Sequence, residues 1–191
     1  MIRQLLFMFA AVLSVGHVMA SNLLQDAGFA AGIDPPWSVS SVPSGVSWST
    51  TDEAEAADSG SLLFTDVGEF GALVSQCVNV GMAAVSRAEF SYLIPGDVSP
   101  VAFAPRFFIR YYDQPLCAGG PVDSDDVGPP TPFVQGEWTR FEIPVALDAV
   151  VESVAYGVYF FGSGSSNNRV FVDNALLGDP PLFQDRFEAA P

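Results

Sequence analysis

The chain has 191 residues, 49% of them apolar, and carries 22 Asp and Glu residues against seven Arg and no Lys, for a formal charge of −15. This length and apolar content indicate one folded domain with a sizeable core rather than a disordered acidic chain. The acidic balance argues against nucleic acid and anionic lipid as partners, because both are bound through basic patches.

The first twenty residues have the composition of a secretory signal peptide. Arg3 supplies a positive start, an apolar stretch follows over residues 5–15, and Val18-Met19-Ala20 resembles a cleavage site. The apolar stretch is short for a membrane span, and no later stretch has the roughly 20 apolar residues that spanning requires. We therefore expect a secreted or periplasmic protein without a membrane span; an uncleaved N-terminal anchor is the alternative.

Removal of residues 1–20 also removes His17, the one histidine of the chain. The mature chain would then have neither His nor Lys, so Ser-His-Asp, Cys-His, Ser-Lys and Schiff-base mechanisms lack their base. His-ligated metal sites are excluded for the same reason. Glycoside hydrolysis needs only two carboxylates, but no local pattern marks such a pair. We predict that the protein is not an enzyme.

Seven runs rich in β-branched and aromatic residues are separated by turns rich in Gly, Pro, Ser and Asp, and no long amphipathic helix is apparent. The runs cover residues 62–65, 73–80, 85–94, 106–112, 138–145, 154–161 and 170–177. The run at 154–161 is apolar on both faces and should form a central strand. The pattern predicts an all-β, antiparallel β-sandwich of seven to nine strands, forming a single domain over residues 21–178.

Cys77 and Cys117 are the two cysteines of the chain. In an exported protein this pair predicts a disulfide, which the chain-entropy model values at about 4 kcal/mol for a loop of this length. Two unpaired buried thiols are the alternative. The spacing is not the C-x-x-C of a redox site.

Residues 116–136 contain four prolines and the aspartates 123, 125 and 126, and they predict a long loop without a strand. The acidic run lacks the ligand spacing and central glycine of an EF-hand, which favours a solvated acidic loop over a calcium loop. After the Pro180-Pro181 break, residues 179–191 are predicted to form a C-terminal tail, either an added edge strand or a flexible segment.

Four segments form a series along the predicted domain. They are NLLQDAGFAAG at 22–32, SGSL at 59–62, QCVNV at 76–80 with the run that follows it, and WTRF at 138–141 leading to VFVDNALL at 170–177. In order and spacing they resemble the secreted carbohydrate-binding modules of the cellulose- and xylan-binding jelly-roll type, within the galactose-binding-domain-like superfamily.

The resemblance implies a two-sheet jelly roll whose first and last strands lie close together, and a polysaccharide or cell-surface glycan as the partner. It also implies a structural calcium ion, held by the glutamate of G-F-E and the aspartate of V-D-N. Asp173 matches that aspartate, whereas Ala30 stands in place of the glutamate, so one expected ligand is missing. Asp26 is the candidate replacement; a turn residue at the end of a strand is the alternative role for Asp173.

Sugar binding combines aromatic rings with a few polar groups. Strand alternation places such a mixture on polar strand faces, and the candidate ligand-binding residues are Arg87, Glu89, Arg110, Tyr112, Trp138 and Arg140. If their strands are neighbours, they would line one shallow groove. The competing interpretation is cross-strand Arg–Glu pairing on a solvated sheet, with Trp138 in the core. Trp37 and Trp48 are expected to reach a binding face or to close an end of the sandwich.

Two functions follow from these patterns. The first is a secreted, non-catalytic glycan-binding protein. The alternative is a structural or protein-interaction domain of the cell envelope that keeps the sandwich without the sugar site, in line with Ala30 and with the lack of an obvious exposed tryptophan pair.

Overall fold

The computed structural model describes residues 22–30, 32–33, 35–41, 45–53, 59–65, 71–81, 85–98, 105–128, 133–148, 150–160 and 169–178. The predicted signal peptide and tail lie outside these residues, so the division at 20 and 178 stays a prediction. No helix in the described ranges is long and apolar enough to cross a membrane. The strands are β1 (Ser38–Ser41), β2 (Val46–Ser49), β3 (Ser61–Thr65), β4 (Ala72–Asn79), β5 (Arg87–Leu93), β6 (Pro105–Tyr112), β7 (Asp123–Val127), β8 (Trp138–Pro144), β9 (Ser153–Phe160) and β10 (Arg169–Gly178).

The strands form two five-stranded sheets. The first sheet has the order β1-β4-β9-β6-β7, and the second has the order β2-β3-β10-β5-β8. Neighbouring strands are antiparallel in both sheets. The predicted all-β, antiparallel sandwich is therefore confirmed.

All seven predicted runs are strands, with ends displaced by at most two residues. The run at 154–161 is β9, which lies at the centre of the first sheet between β4 and β6, as predicted. Its inward side chains, Val154, Tyr156, Val158 and Phe160, are buried in the core. The opposite side of β9 is also partly covered, which explains why the sequence shows no polar face there.

Three strands were not expected from the sequence. β1 and β2 are short and rich in serine, and β7 has the sequence DSDDV within the predicted loop at 116–136. The loop prediction is wrong for Asp123–Val127, because pairing with β6 supplies the backbone hydrogen bonds that the side chains alone do not favour. β7 is exposed throughout, and an acidic edge strand resists pairing with another chain.

Aromatic side chains from both sheets fill the space between them. The Phe90 ring of the second sheet lies 4.7 Å from the Phe107 ring and 4.5 Å from the Tyr156 ring, both of the first sheet. Phe64 faces Phe160 at 5.8 Å between ring centroids. Stacked and tilted rings at these distances contribute beyond the area that they bury, so the two sheets share one core.

The N-terminal segment runs beside β10. The backbone N–H of Leu23 donates to the carbonyl oxygen of Leu177 over 2.9 Å, and the N–H of Ala175 donates to the carbonyl oxygen of Ala27 over 2.9 Å. The Asn22 side chain adds hydrogen bonds to Ala175 and Leu177. The two ends of the described domain are thus adjacent, although the first strand, β1, lies in the opposite sheet from the last strand, β10.

Cys77 and Cys117 form the predicted disulfide, with their Cα atoms 6.1 Å apart. Cys77 lies on β4, and Cys117 ends a 3-10 turn at Pro115–Cys117. This turn is also held by the backbone N–H of Cys117, which donates to the Ser153 hydroxyl over 2.9 Å, and by that of Leu116, which donates to the Asn79 side chain over 2.8 Å. The turn therefore covers one end of the outer face of the first sheet.

Candidate functional site

The outer face of the first sheet carries a groove. Its cavity of about 400 Å³ is lined by Ser40, Gly71, Ala72, Leu73, Arg110, Asp126 and Tyr159. Because side chains alternate along a strand, β6 presents Arg106, Phe108, Arg110 and Tyr112 on this face. β9 contributes Ala155, Gly157 and Tyr159 beside them.

Two small residues on β9, Ala155 and Gly157, lie beside the β6 residues of this face. A Cβ atom on Gly157 would lie 2.4 Å from the Val74 carbonyl oxygen, 2.7 Å from Cζ of Phe108 and 2.8 Å from Cβ of Ser75. The Phe108 ring therefore lies across Gly157 and is only 2% exposed although it belongs to the outer face. Ala155 is the neighbour of Arg110 on β9.

One wall of the groove is a cluster of three polar side chains. The Arg106 guanidinium donates from Nε to Oδ1 of Asp126 over 2.9 Å, and the Tyr159 hydroxyl donates to Oδ2 of the same carboxylate. Burial and the bonded Asp126 carboxylate raise the pKa of Tyr159, and the hydrogen bond that Arg106 donates to Asp126 raises the pKa of Arg106. Both carboxylate oxygens are thus engaged, and the Tyr159 ring is held beside the cavity.

Arg110 lies over the Phe108 ring. Its Cζ atom is 4.8 Å from the centroid of the Phe108 ring, a distance typical of a cation–π contact. Its strand neighbours on the two sides are Ala155 of β9 and Ser124 of β7. The guanidinium is therefore oriented by a ring while its N–H groups stay exposed to the cavity.

Tyr112 was predicted to bind ligand beside Arg110, and the structure corrects this. Although it shares the outer face of β6, its side chain is only 8% exposed. The Pro115–Cys117 turn packs against β4, β6 and β9 at that end of the sheet. The segment that follows Tyr112 along the chain folds back over it and removes it from the groove.

The other predicted ligand-binding residues lie on the second sheet. Arg87 and Glu89 belong to β5, and Trp138 and Arg140 belong to β8, which pairs with β5 and not with β6. The prediction of one common groove is therefore wrong, since the six residues are divided between opposite sides of the sandwich. Trp138 is half-buried opposite Leu93 and is not part of the core, so the core interpretation is wrong as well.

On the second sheet the charges neutralise one another. Glu89, only 5% exposed, lies 2.8 Å from the Arg87 guanidinium and 3.7 Å from that of Arg140, and Glu142 lies 3.8 Å from Arg87. This is the cross-strand Arg–Glu pairing that the sequence left open as the competing interpretation. We call these four residues the ion-pair cluster.

The two early tryptophans pack near the N-terminal segment. Trp37 is 3% exposed, packs at a tilt against Phe29 with 5.0 Å between ring centroids, and donates from Nε1 to the carbonyl oxygen of Asp26 over 3.0 Å. Trp48 is 42% exposed and donates to the carbonyl oxygen of Phe29 over 2.8 Å. A Cβ atom on Gly60 would lie 2.2 Å from Nε1 of Trp48, so that glycine admits the indole. These contacts close part of the sandwich rather than line the groove.

The structure does not join Asp26 and Asp173 in a calcium site. The Asp26 carboxylate accepts the Ala30 N–H over 2.7 Å, whereas the two oxygens of Asp173 accept the N–H groups of Glu53 over 3.0 Å and Asn174 over 2.7 Å. In the described ranges, no group of three or more His, Cys, Asp or Glu side chains is arranged to hold a metal ion. Three of the four carboxylate oxygens of Asp26 and Asp173 thus accept backbone N–H groups, which does not fit their predicted role as calcium ligands.

The carboxyl group of Asp173 has a raised pKa. It is fully buried, and burial raises its pKa to about 7. The two backbone N–H groups lower the pKa, while the neighbouring Asp52 carboxyl, itself buried, raises it further. The second sheet therefore contains a titratable group whose ionisation opposes its burial.

Sequence reasoning missed most of the groove. Tyr159 was part of an apolar run without a polar face, and Asp126 was assigned to an acidic loop. The alternation of β6 did mark Arg110, and the glycine within an aromatic strand was the available signal for the close packing of Phe108, because such a glycine often marks a close approach.

No protein-family model matches the chain, and no curated protein matches it either. Solved structures do match. TmCBM61, solved in complex with β-1,4-galactotriose, has a TM-score of 0.56 at 21% identity and covers 82% of this chain and 97% of its own. The family 16 carbohydrate-binding module-2 has a TM-score of 0.56 at 16% identity, over 83% of this chain and 100% of its own.

A third match is part of a larger protein. The enzymatically active domain of tailspike protein 4 of bacteriophage CBA120 has a TM-score of 0.61 at 13% identity, covering 82% of this chain but 21% of its own. At these identities the likeness concerns the fold. The chain has the β-sandwich fold of carbohydrate-binding modules.

Proposed function

We propose that this chain is a non-catalytic carbohydrate-binding protein of an oxidising compartment, and that it binds glycan in the groove of the first sheet. The observation that carries the proposal is the open cavity, which is lined by both the Tyr159 ring and the exposed Arg110 guanidinium. An aromatic ring packs on the apolar face of a pyranose, and fixed polar groups bind its hydroxyls.

Each groove residue has a distinct role in this proposal. Tyr159 offers its half-buried ring as the stacking surface, and Arg110 donates hydrogen bonds to hydroxyl or ring oxygens. Asp126 fixes the Tyr159 hydroxyl and thereby the orientation of the ring. Phe108 does not contact sugar, because its ring is buried beneath Arg110.

The chemistry of the described groove supports binding without catalysis. Canonical glycoside hydrolysis uses two carboxyl groups that flank the bond. Asp126 is the one carboxylate among the lining residues that the structure describes, and both of its oxygens are engaged. TmCBM61, which has the same fold, was solved with a galactotriose, which supports a glycan as the class of ligand here.

Export is the second part of the proposal. The Cys77–Cys117 disulfide supports it, because disulfides persist in oxidising compartments. A fractionation experiment with a natively expressed, epitope-tagged chain should recover it from the periplasm or the medium, with its N-terminus near residue 21. Recovery from the cytoplasm with intact residues 1–20 would contradict export.

Binding is tested by affinity electrophoresis of the purified protein in gels that contain neutral or uronate-bearing polysaccharides. We expect retardation by at least one polymer, and about tenfold weaker binding for Tyr159→Ala, because stacking on a single ring is worth on the order of 1 kcal/mol or more. Arg140→Ala, on the opposite sheet, is the matched control and should bind as the wild type does. Unretarded wild-type protein in every gel would refute the proposal.

A further inference from the structure

The arginines of the described ranges differ in whether they form an ion pair with a carboxylate. Arg87 and Arg140 lie within 4 Å of Glu89, Arg106 lies 2.9 Å from Asp126, and Arg169 pairs with Asp97. Arg110 has no ion pair with any carboxylate that the structure describes. Among the five arginines that the structure describes, this cation is the exception, and it lines the cavity.

The sheet keeps acidic side chains away from Arg110. On β7, Ser124 stands directly beside Arg110, Asp123 and Asp125 belong to the other side of the strand, and Asp126 shares the face of Ser124 two positions further along. The Asp125 carboxylate accepts the Tyr111 hydroxyl over 2.7 Å on that other side. Ala155 occupies the neighbouring position on β9. The register therefore places neutral residues on both sides of the guanidinium.

The nearest acid of the groove is already neutralised. Asp126 is bonded to Arg106 through one oxygen and to the Tyr159 hydroxyl through the other. The described lining of the cavity contains one arginine, Arg110, and one carboxylate, Asp126, and that carboxylate is paired with Arg106 from beside the cavity. The free positive charge is that of Arg110.

We propose that the groove selects glycans that carry carboxylate groups, and that Arg110 binds the carboxylate of a uronic acid residue. This inference rests on the proposed function and adds the substrate class. A guanidinium presents two parallel N–H groups that match the two oxygens of a carboxylate, and its stacking on Phe108 fixes their direction. Tyr159 receives the face of the same or the adjoining sugar ring.

The net charge of the whole protein restricts the class of glycan further. A net charge of −15 repels a densely charged polyanion, although salt screens that repulsion over about 8 Å at physiological ionic strength. The groove therefore fits a polysaccharide whose uronates are spaced along a neutral backbone better than it fits a continuous polyuronate. Sulfated polymers that contain no uronate, such as dextran sulfate, bear dense charge without planar carboxylates and fit it least.

The test uses glucuronoxylan and the same polymer after chemical reduction of its carboxyl groups, which changes the charge and leaves the backbone intact. Titration calorimetry with the wild-type protein should show about tenfold weaker binding to the reduced polymer. In Arg110→Gln the two forms should bind equally weakly, and in Arg110→Lys the preference should shrink, because lysine keeps the charge but loses the bidentate geometry.

Two controls make the result decisive. Arg140→Gln removes an arginine from the opposite sheet and should keep the full preference for the unreduced polymer. An unchanged melting temperature of Arg110→Gln would show that this variant is folded. Dextran sulfate separates carboxylate recognition from general attraction to anions, and the wild type should bind it no better than it binds neutral dextran.

The outcomes also separate the two proposals. Equal binding of glucuronoxylan and its reduced form overturns the preference for uronates but leaves glycan binding in place. A preference that survives Arg110→Gln, or Arg110-dependent binding of dextran sulfate, overturns the role of Arg110 in carboxylate recognition. Failure of both xylans together with every polymer of the electrophoresis panel refutes the proposed function itself.

Discussion

The two outer faces of the sandwich are built from the same kinds of residues but differ in how their charges are used. On the second sheet, the ion-pair cluster pairs Arg87 and Arg140 with a nearly buried Glu89. On the first sheet, Arg110 lies on an aromatic ring beside a cavity, and the one nearby aspartate is engaged by Arg106 and Tyr159.

This difference teaches that residue type alone does not mark a binding face. An arginine that is neutralised by neighbouring carboxylates contributes to the stability of its own sheet. An arginine without such a partner is available to bind a ligand. We therefore propose that the first sheet is the face for binding and that the polar groups of the second sheet act mainly on stability. Three stability experiments test this division, in addition to the binding experiments described above.

The largest predicted change in stability is caused by pH and arises in the second sheet. The pKa of Asp173 is raised to about 7 in the folded protein, against an ordinary value of 3.8. Folding therefore favours the protonated carboxyl, so its contribution to stability is complete below about pH 4 and is lost as the pH rises through 7. At about 1.4 kcal/mol per pH unit, the loss approaches about 4 kcal/mol.

Urea denaturation between pH 4 and pH 8 measures this effect. Asp173→Asn should flatten the pH profile whatever its absolute stability, because the titrating group is gone. Asp126→Asn, on the first sheet, should keep the slope of the wild type. A profile that stays equally steep in Asp173→Asn would assign the pH dependence to another group.

The second predicted change in stability comes from the close packing of Phe108 against Gly157. In Gly157→Ala the new methyl group would meet the Val74 carbonyl oxygen and the Phe108 ring, both within 3 Å. Overpacking of this kind costs about 3 kcal/mol, and displacement of Phe108 should also weaken glycan binding. Gly96→Ala is the matched control, since a Cβ atom there meets no atom within 4 Å. Equal denaturation midpoints for the two variants would contradict the close packing of Phe108.

The smallest predicted changes in stability come from replacing one acidic residue on each face, and the two replacements are compared directly. Glu89→Gln should destabilise the fold by about 2 kcal/mol, because it leaves the partly buried Arg87 without its closest charge partner. Asp126→Asn should cost less than about 1 kcal/mol, since the Arg106–Asp126 pair is almost half exposed on both sides. If Asp126→Asn proved the more damaging in urea titrations, the division between a binding sheet and a stability sheet would fail.

Much of the fold was predictable because period and composition are local properties. The run that became β9 is apolar on both faces, and this alone predicted a central strand. β7 was not predictable, because DSDDV has no strand propensity and pairs only through the backbone of β6. An edge strand of this kind is decided by its neighbour rather than by its own residues.

The candidate site was predictable only in part, for a topological reason. Alternation correctly placed Arg87 with Glu89 on one strand face, and Arg110 on another. It did not reveal that β5 pairs with β8 in one sheet while β6 pairs with β9 in the other. Sequence order carries no information about which strands become neighbours across a two-sheet sandwich, and the burial of Tyr112 depends on a turn fixed by a distant cysteine.

The adjacency of Asn22 and β10 has a consequence for how the domain can be connected. Because the Asn22 side chain binds both Ala175 and Leu177, the chain enters and leaves the sandwich at nearly the same point. A domain with neighbouring ends can be inserted into a loop of a host protein, or circularly permuted by joining residues 22 and 178 through a short linker. Either rearrangement leaves the strands of the groove in their present order, so the sandwich is suited to use as a transplantable unit.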